Sequence, residues 1–362
     1  MKKLALLALA LFSITAFAQN KETTVLTGTI EPEYGYKQTG FVSKPKVGAY
    51  IIGAYKYSDQ EGAHGGPGFN ARLIRAYVDG SIYDQFKYRL QVELNGTPHI
   101  KDFYIEWAKY KEFSVKMGQF KRAFTFENPM NPWDVGVGDY SFLVKKLAGM
   151  GDRCGEKSMG GRDLGLQVQG DLFPIGQDKH RLIHYQLGVY NGNGINQADN
   201  NAQKDIIGTL QVQPVKGLYI GAFGWKGNWT SDKGVTIERN RYSLGAKYDF
   251  DNWTFRTEYA KSYGHKASEF DAASNSWSGT GLADAFYATV GIPFADWFKL
   301  YLKWDEYRDQ GTAATCHDMY SACANIRLHK NLNFQIEYRL HNDKTLAMPQ
   351  YNDVWFMTYI RF

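Results

Sequence analysis

The sequence predicts an all-β chain folded as a transmembrane antiparallel β-barrel of about sixteen strands, with short periplasmic turns and long extracellular loops. Three observations predict it. Apolar and polar residues alternate nearly from end to end of the chain, and a period of two marks strands with one greasy and one wet face. The alternating runs are about ten to twelve residues long, against about five to six in globular proteins, and that length, tilted, crosses a bilayer. The connections switch between tight turns and long polar loops, as in outer-membrane barrels.

Composition agrees with a folded, exported β-chain. The 362 residues carry 42 Lys+Arg against 37 Asp+Glu, with 15% aromatic residues and 3 Cys, at a mean hydropathy of −0.44. So many aromatics exclude intrinsic disorder, and the even charge balance excludes a polyelectrolyte. Residues 1–18 read as a signal peptide: Lys2 and Lys3 precede an apolar stretch from Leu4 to Phe12, and Ala16, Phe17 and Ala18 form a small-x-small cleavage signal. Cleavage removes two cations and no acid from a formal net charge of +5, so nucleic-acid binding loses its support. Residues 19–46 are expected as an N-terminal periplasmic or lumenal segment, and 47–362 as the barrel.

In chain order, strand cores are expected near 47–57, 69–82, 85–95, 100–110, 113–120, 162–173, 181–190, 205–213, 218–227, 241–250, 253–262, 282–292, 297–307, 322–329, 332–341 and 352–362. The third is free of exceptions over 86–95, where Phe86, Tyr88, Leu90, Val92 and Leu94 alternate with Lys87, Arg89, Gln91, Glu93 and Asn95. The fifteenth is as clean, with Leu332, Phe334, Ile336, Tyr338 and Leu340 on one face. An even count brings both termini to the side of the short turns; residues 24–31 would make eighteen if they added a hairpin. Phe173, Phe250, Trp253, Phe294 and Trp297 flank short turns, where rings sit at the headgroup level. The closing alternation Val354, Phe356, Thr358, Ile360, Phe362 fits the terminal strand of an outer-membrane protein.

A sheet in lipid must close, because no water satisfies an open edge, and about sixteen strands leave an aqueous lumen. With the apolar faces turned to lipid, Arg75, Lys87, Arg89, Lys116, Arg256, Lys303 and Arg339 point inward, opposed by acids that include Glu93, Asp102 and Glu106. The two signs nearly balance over the lumen, so selectivity depends on a constriction. The longest connection, 121–161, is expected to fold inward and form it. With its flank Arg162 it contributes Lys121, Arg122, Lys145 and Lys146, cations suited to oxyanions. Cys316 and Cys323, seven apart in an oxidising compartment, are expected to close a small disulfide loop that leaves Cys154 alone. With His317 beside them they lack a second ligand pair at any standard zinc spacing, so no metal or cofactor is expected. No His-Glu-x-x-His, Gly-x-Ser-x-Gly or Walker loop occurs, and no enzyme activity is expected.

Seven segments in order carry a family resemblance: Phe69-Asn-Ala-Arg72-Leu-Ile-Arg75-Ala-Tyr-Val-Asp-Gly80, Tyr88-Arg-Leu-Gln-Val-Glu93, Lys101-Asp102-Phe-Tyr-Ile-Glu106, Val115-Lys-Met-Gly-Gln-Phe-Lys121, Arg162-Asp-Leu-Gly-Leu-Gln167, Gly188-Val-Tyr-Asn-Gly192 and Tyr359-Ile-Arg-Phe362. Together they resemble the phosphate-selective porin O and P family of bacterial outer-membrane porins. The resemblance implies a sixteen-stranded barrel, commonly a homotrimer, whose inward third loop and basic residues guide small anions such as phosphate. It matches Arg75, Lys121 and Arg122 to recurrent basic positions, and Lys145 and Lys146 more loosely. A non-selective diffusion porin and a plugged structural or binding barrel stay open as alternatives.

Overall fold

The computed structural model describes residues 45–62, 66–156 and 160–362. The expected leader, the strand at 24–31 and nearly all of segment 19–46 lie outside them. Nine strands come first: β1 (Lys46–Ser58), β2 (Gly68–Ile82), β3 (Phe86–Glu93), β4 (His99–Trp107), β5 (Ser114–Lys121), β6 (Arg162–Ile175), β7 (His180–Tyr190), β8 (Asp205–Val215) and β9 (Leu218–Lys226). A small hairpin, β10 (Asn228–Thr230) and β11 (Thr236–Glu238), precedes β12 (Asn240–Phe250) and β13 (Trp253–Tyr263). A second, β14 (Phe270–Asp271) and β15 (Ser276–Trp277), precedes β16 (Leu282–Ala295), β17 (Phe298–Asp309), β18 (Cys316–His329), β19 (Leu332–Asp343) and β20 (Gln350–Arg361).

Without the two hairpins, sixteen strands pair each with the next into one closed barrel. Closure is antiparallel, from Tyr50 opposite Arg361 to Ser58 opposite Asp353. The expected strands are all present, and the connections alternate as expected. At the short-turn rim, Tyr83 and Asp84 (φ 51° and 56°) and Asp251 and Asn252 (φ 51° and 63°) adopt the left-handed conformation of two-residue hairpin turns, whose twist matches that of the strands.

The two faces separate as the alternation requires. Outside, Leu244, Phe255, Leu302, Ile336 and Phe356 are each more than two-fifths exposed, and so are the five aromatics beside short turns. Inside, the described residues of segment 122–161 pack on the wall and carry the main apolar cluster, in which Phe124, Leu143, Val144 and Leu147 are buried against Phe223, Trp225, Tyr287 and Tyr301. Among its described residues lies a helix, α1 (Phe142–Leu147), capped by Ser141, whose side chain accepts from Val144 N.

The sequence places Cys316 in a loop; it is the first residue of β18. Cys316 and Cys323 therefore stand on one strand, about 23 Å apart at about 3.3 Å per residue and, with an odd separation, on opposite faces. That excludes the expected disulfide, since bridged cysteines need Cα atoms within about 7 Å. All three cysteines are free and buried.

Candidate functional site

The barrel interior divides into two walls of different chemistry. The strands from β8 onward hold segment 122–161. Thr209 on β8 donates to Ala123 O, Glu258 on β13 accepts from Phe126 N, Asp305 on β17 accepts from Phe142 N, and Glu337 on β19 accepts from Gly138 N. The carbonyl of Gly136 accepts from Gln335 at 3.3 Å, and Arg256 donates to Val135 O at 3.0 Å. Behind the helix, the indole of Trp225 is flanked by three guanidiniums, Arg122, Arg239 and Arg241, each within 5 Å of its ring centre. Their carboxylate partners are Glu156 and Asp163 for Arg122, Glu156 and Asp205 for Arg239, and Asp152 for Arg241.

Several residues expected to guide anions belong to this fastening. Arg122 is fully buried between Glu156 and Asp163. Lys303 is buried between Glu127 and Asp305, and Arg339 pairs with Glu337 beneath the Trp355 ring. Arg256 joins Asp249 to the segment's backbone. Buried charges need partners, and here the partners are the inward acids that balance the sign of the lumen.

The opposite wall, β2 to β6, faces open space. Two cavities lie between it and the segment, and they share Arg75, Lys121, Pro132 and Arg162. The one toward the short turns adds Arg89, Lys116 and Asp102; the one toward the long loops adds Arg72, Lys101, Lys145, Glu93 and Asp139. Eight cations thus meet three carboxylates along this gap.

Each of these cations is aimed by a specific partner. Arg75 donates to Glu93 and to the Tyr50 hydroxyl, both at 2.8 Å. Arg162 grips Asp102 with two bonds of 2.7 and 2.9 Å. Arg89 is bidentate to Asp79, at 2.6 and 2.7 Å. Lys121 donates to Asn128 O and to the Tyr140 hydroxyl, which joins the end of β5 to the segment. Lys116 sits 3.4 Å from Glu106 and over the Tyr104 ring, while Glu106 also accepts from Ser114 and Gln169. Asp102 and Glu106, which sequence spacing offers as partners of Arg75, Lys87 and Arg89, serve other residues.

On the segment, Asp139 lies between Lys145 and Arg72, each at 2.9 Å. Burial works against its charge, and the Lys145 and Arg72 cations outweigh burial and hold its carboxyl well below the usual carboxylate range. Lys145 is half-buried and Lys146 exposed on α1; Lys87 is exposed near the short-turn rim, apart from both cavities. Lys101 escapes the sequence pattern because of a bulge. Gln91 pairs with Asp102 and Val92 with Ile100, so Lys101 is an extra residue and turns inward beside Asp102, where it meets Glu93 at 3.3 Å. A bulge breaks the alternation that sequence reading relies on, and Arg72 and Tyr50 were likewise visible in sequence only as strand residues.

With this geometry in place, solved structures supply the comparison. An anion-selective porin from Comamonas acidovorans superimposes with a TM-score of 0.66 at 12% identity, over 89% of this chain and 100% of that one. Salmonella typhi OmpF, in complex with daunomycin, gives 0.62 at 12% identity over 88% and 98% of the two chains. The outer membrane channel DcaP of Acinetobacter baumannii gives 0.62 at 12% over 88% and 97%. The fold is the sixteen-stranded porin barrel. No protein-family model matches the sequence, and no curated protein matches it.

Proposed function

We propose that the chain is a bacterial outer-membrane porin, exported by its cleaved leader and assembled as a homotrimer, which passes small solutes and prefers anions, phosphate among them. One observation carries this reading: the gap between segment and wall is lined by eight cations and three carboxylates. Charges are close there, so an excess of one sign acts more strongly than it would in a wide lumen. Arg75 and Arg162 present planar forks suited to oxyanions, and Lys101 and Lys121 add compact charge. The exposed apolar band and its collar of rings support a membrane setting.

The test is reversal potential in a planar bilayer under a KCl gradient, repeated with phosphate. An anion-directed potential and phosphate block of chloride current support the reading. Weak selectivity without block makes the chain a general diffusion porin, and absence of conductance in correctly folded protein makes it a plugged barrel. Cross-linking in membranes reads the trimer.

A further inference from the structure

The inward segment shows a different face to each of the two cavities in the basic gap. To the one toward the long loops it contributes Asp139 and Lys145, so charges stand on both sides. To the one toward the short turns it contributes Ala123, Pro129, Met130, Asn131 and Pro132, with no ionisable group among its described residues. Every cation of that second cavity comes from β2 to β6, and the face across from them is apolar except for Asn131.

These cations differ in how many protons they have left to offer. Lys121 donates to Asn128 O, Met130 O and the Tyr140 hydroxyl, which uses all three of its N–H bonds. Arg162 is held by Asp102, Gly160 O and Gln91, and Arg75 by Glu93 and Tyr50. Arg89 spends Nε and Nη2 on Asp79 and keeps Nη1, while Lys116 meets one carboxylate, Glu106, at 3.4 Å. The Lys116 ammonium also lies 5.0 Å and 5.5 Å from the ring centres of Tyr104 and Phe120. Tyr104 and Met130 are half-buried; both pack against the main apolar cluster and both border the cavity.

We propose that this cavity is a binding station for organic acids that join a carboxylate to a flat apolar body, the aromatic carboxylates, in preference to inorganic phosphate. The inference rests on the reading of the chain as an anion-preferring porin and names the solute class of that same gap. The carboxylate accepts from Arg89 and Lys116, and the ring lies between Tyr104 and the Pro129–Met130 edge. An ion hydrated on every side loses water against an apolar face and gains nothing from it. A ring placed there gains in proportion to the area it buries, and it can stack on Tyr104. Size allows this: the cavity measures about 190 Å3, and one of about 150 Å3 already admits benzene.

The test is block of chloride current through the folded chain in a planar bilayer at pH 7, with benzoate, acetate and inorganic phosphate added in turn. Benzoate is expected to halve the current at a concentration about tenfold below the other two, the gain from burying one face of a ring. In Met130→Gln, which keeps the backbone carbonyl that holds Lys121, the benzoate-to-acetate ratio is expected to fall toward one. Lys116→Gln is expected to weaken both acids and keep the ratio. Phosphate that blocks as well as benzoate overturns the proposal, as does a ratio that Met130→Gln leaves unmoved; an anion-directed reversal potential measured without the three blockers would still uphold the porin reading. Calorimetric titration of the detergent-folded chain with benzoate and with phosphate reads the station without conduction. A silent or unselective channel therefore removes the porin reading alone, and weaker binding of benzoate than of phosphate removes the station.

Discussion

Lys121 and Arg122 are neighbours in sequence and read alike there, as two cations at the mouth of a long loop. Their surroundings separate them. Lys121 borders both cavities of the basic gap, whereas Arg122 is enclosed by Glu156, Asp163 and the face of Trp225. Replacing Arg162 by Gln removes a cation from the gap and leaves the Asp102 carboxylate without its bidentate partner. The reversal potential under a KCl gradient is expected to move in the cation direction in Arg162→Gln, and less far in Lys121→Gln. Arg122→Met is expected to leave the selectivity alone and strand the buried Asp163 carboxylate, while Glu156 keeps Arg239. Breaking such a network costs on the order of 3–5 kcal/mol, read as a lower midpoint of unfolding in guanidinium. An unchanged midpoint would remove Arg122 from the fastening. No sequence pattern distinguishes the two residues, because burial at a strand end depends on where the chain turns next.

At the scale of elements, the inward segment is fastened through backbone as much as through side chains, and this limits which residues it tolerates. Gly136 has φ 92°, and a Cβ there would lie 2.4 Å from the Tyr301 ring. Gly136→Val is therefore expected to displace the segment, seen as faster cleavage within 122–161 by an added protease while the barrel stays intact. Acid should loosen the same element. Burial opposes charge on Asp152 as on Asp139, but Arg241 in the one case and Lys145 with Arg72 in the other hold both carboxyls well below their ordinary range. A carboxyl depressed on folding stabilises fully above its unfolded value of about 3.9 and loses that contribution as pH falls toward the folded value. Loss of these two contributions is thus expected to raise cleavage of the segment as pH falls below about 4; no rise between pH 4 and pH 2 would contradict this. The segment's length made its inward path legible in the sequence. The bulge at Lys101 and the early start of β18 at Cys316 were not legible, since both depend on pairing with a neighbouring strand.

For the whole molecule, strand number, turn side and outward faces could all be read from alternation, because every strand has one face toward the interior and one away from it. A cation at the middle of the outward face, as in Ile336→Lys, is expected to cost about 2–4 kcal/mol in a bilayer and to reduce the heat-modifiable folded band on gels. Full recovery of that band would argue against a lipid-facing Ile336. The charge asymmetry of the interior was hidden for the opposite reason. Counted over the chain the signs nearly cancel, and only the fold reveals that acids such as Glu127, Glu156, Asp305 and Glu337 are occupied in fastening the segment. That fastening also sets an order of events in time. The bonds from Phe142 to Asp305 and from Gly138 to Glu337 join residues 163 and 199 positions apart, among the slowest kinds of contact for a chain to find. Half of the chain has nowhere to dock this segment, so the narrow gap comes into being only once the last strands have been added to the ring.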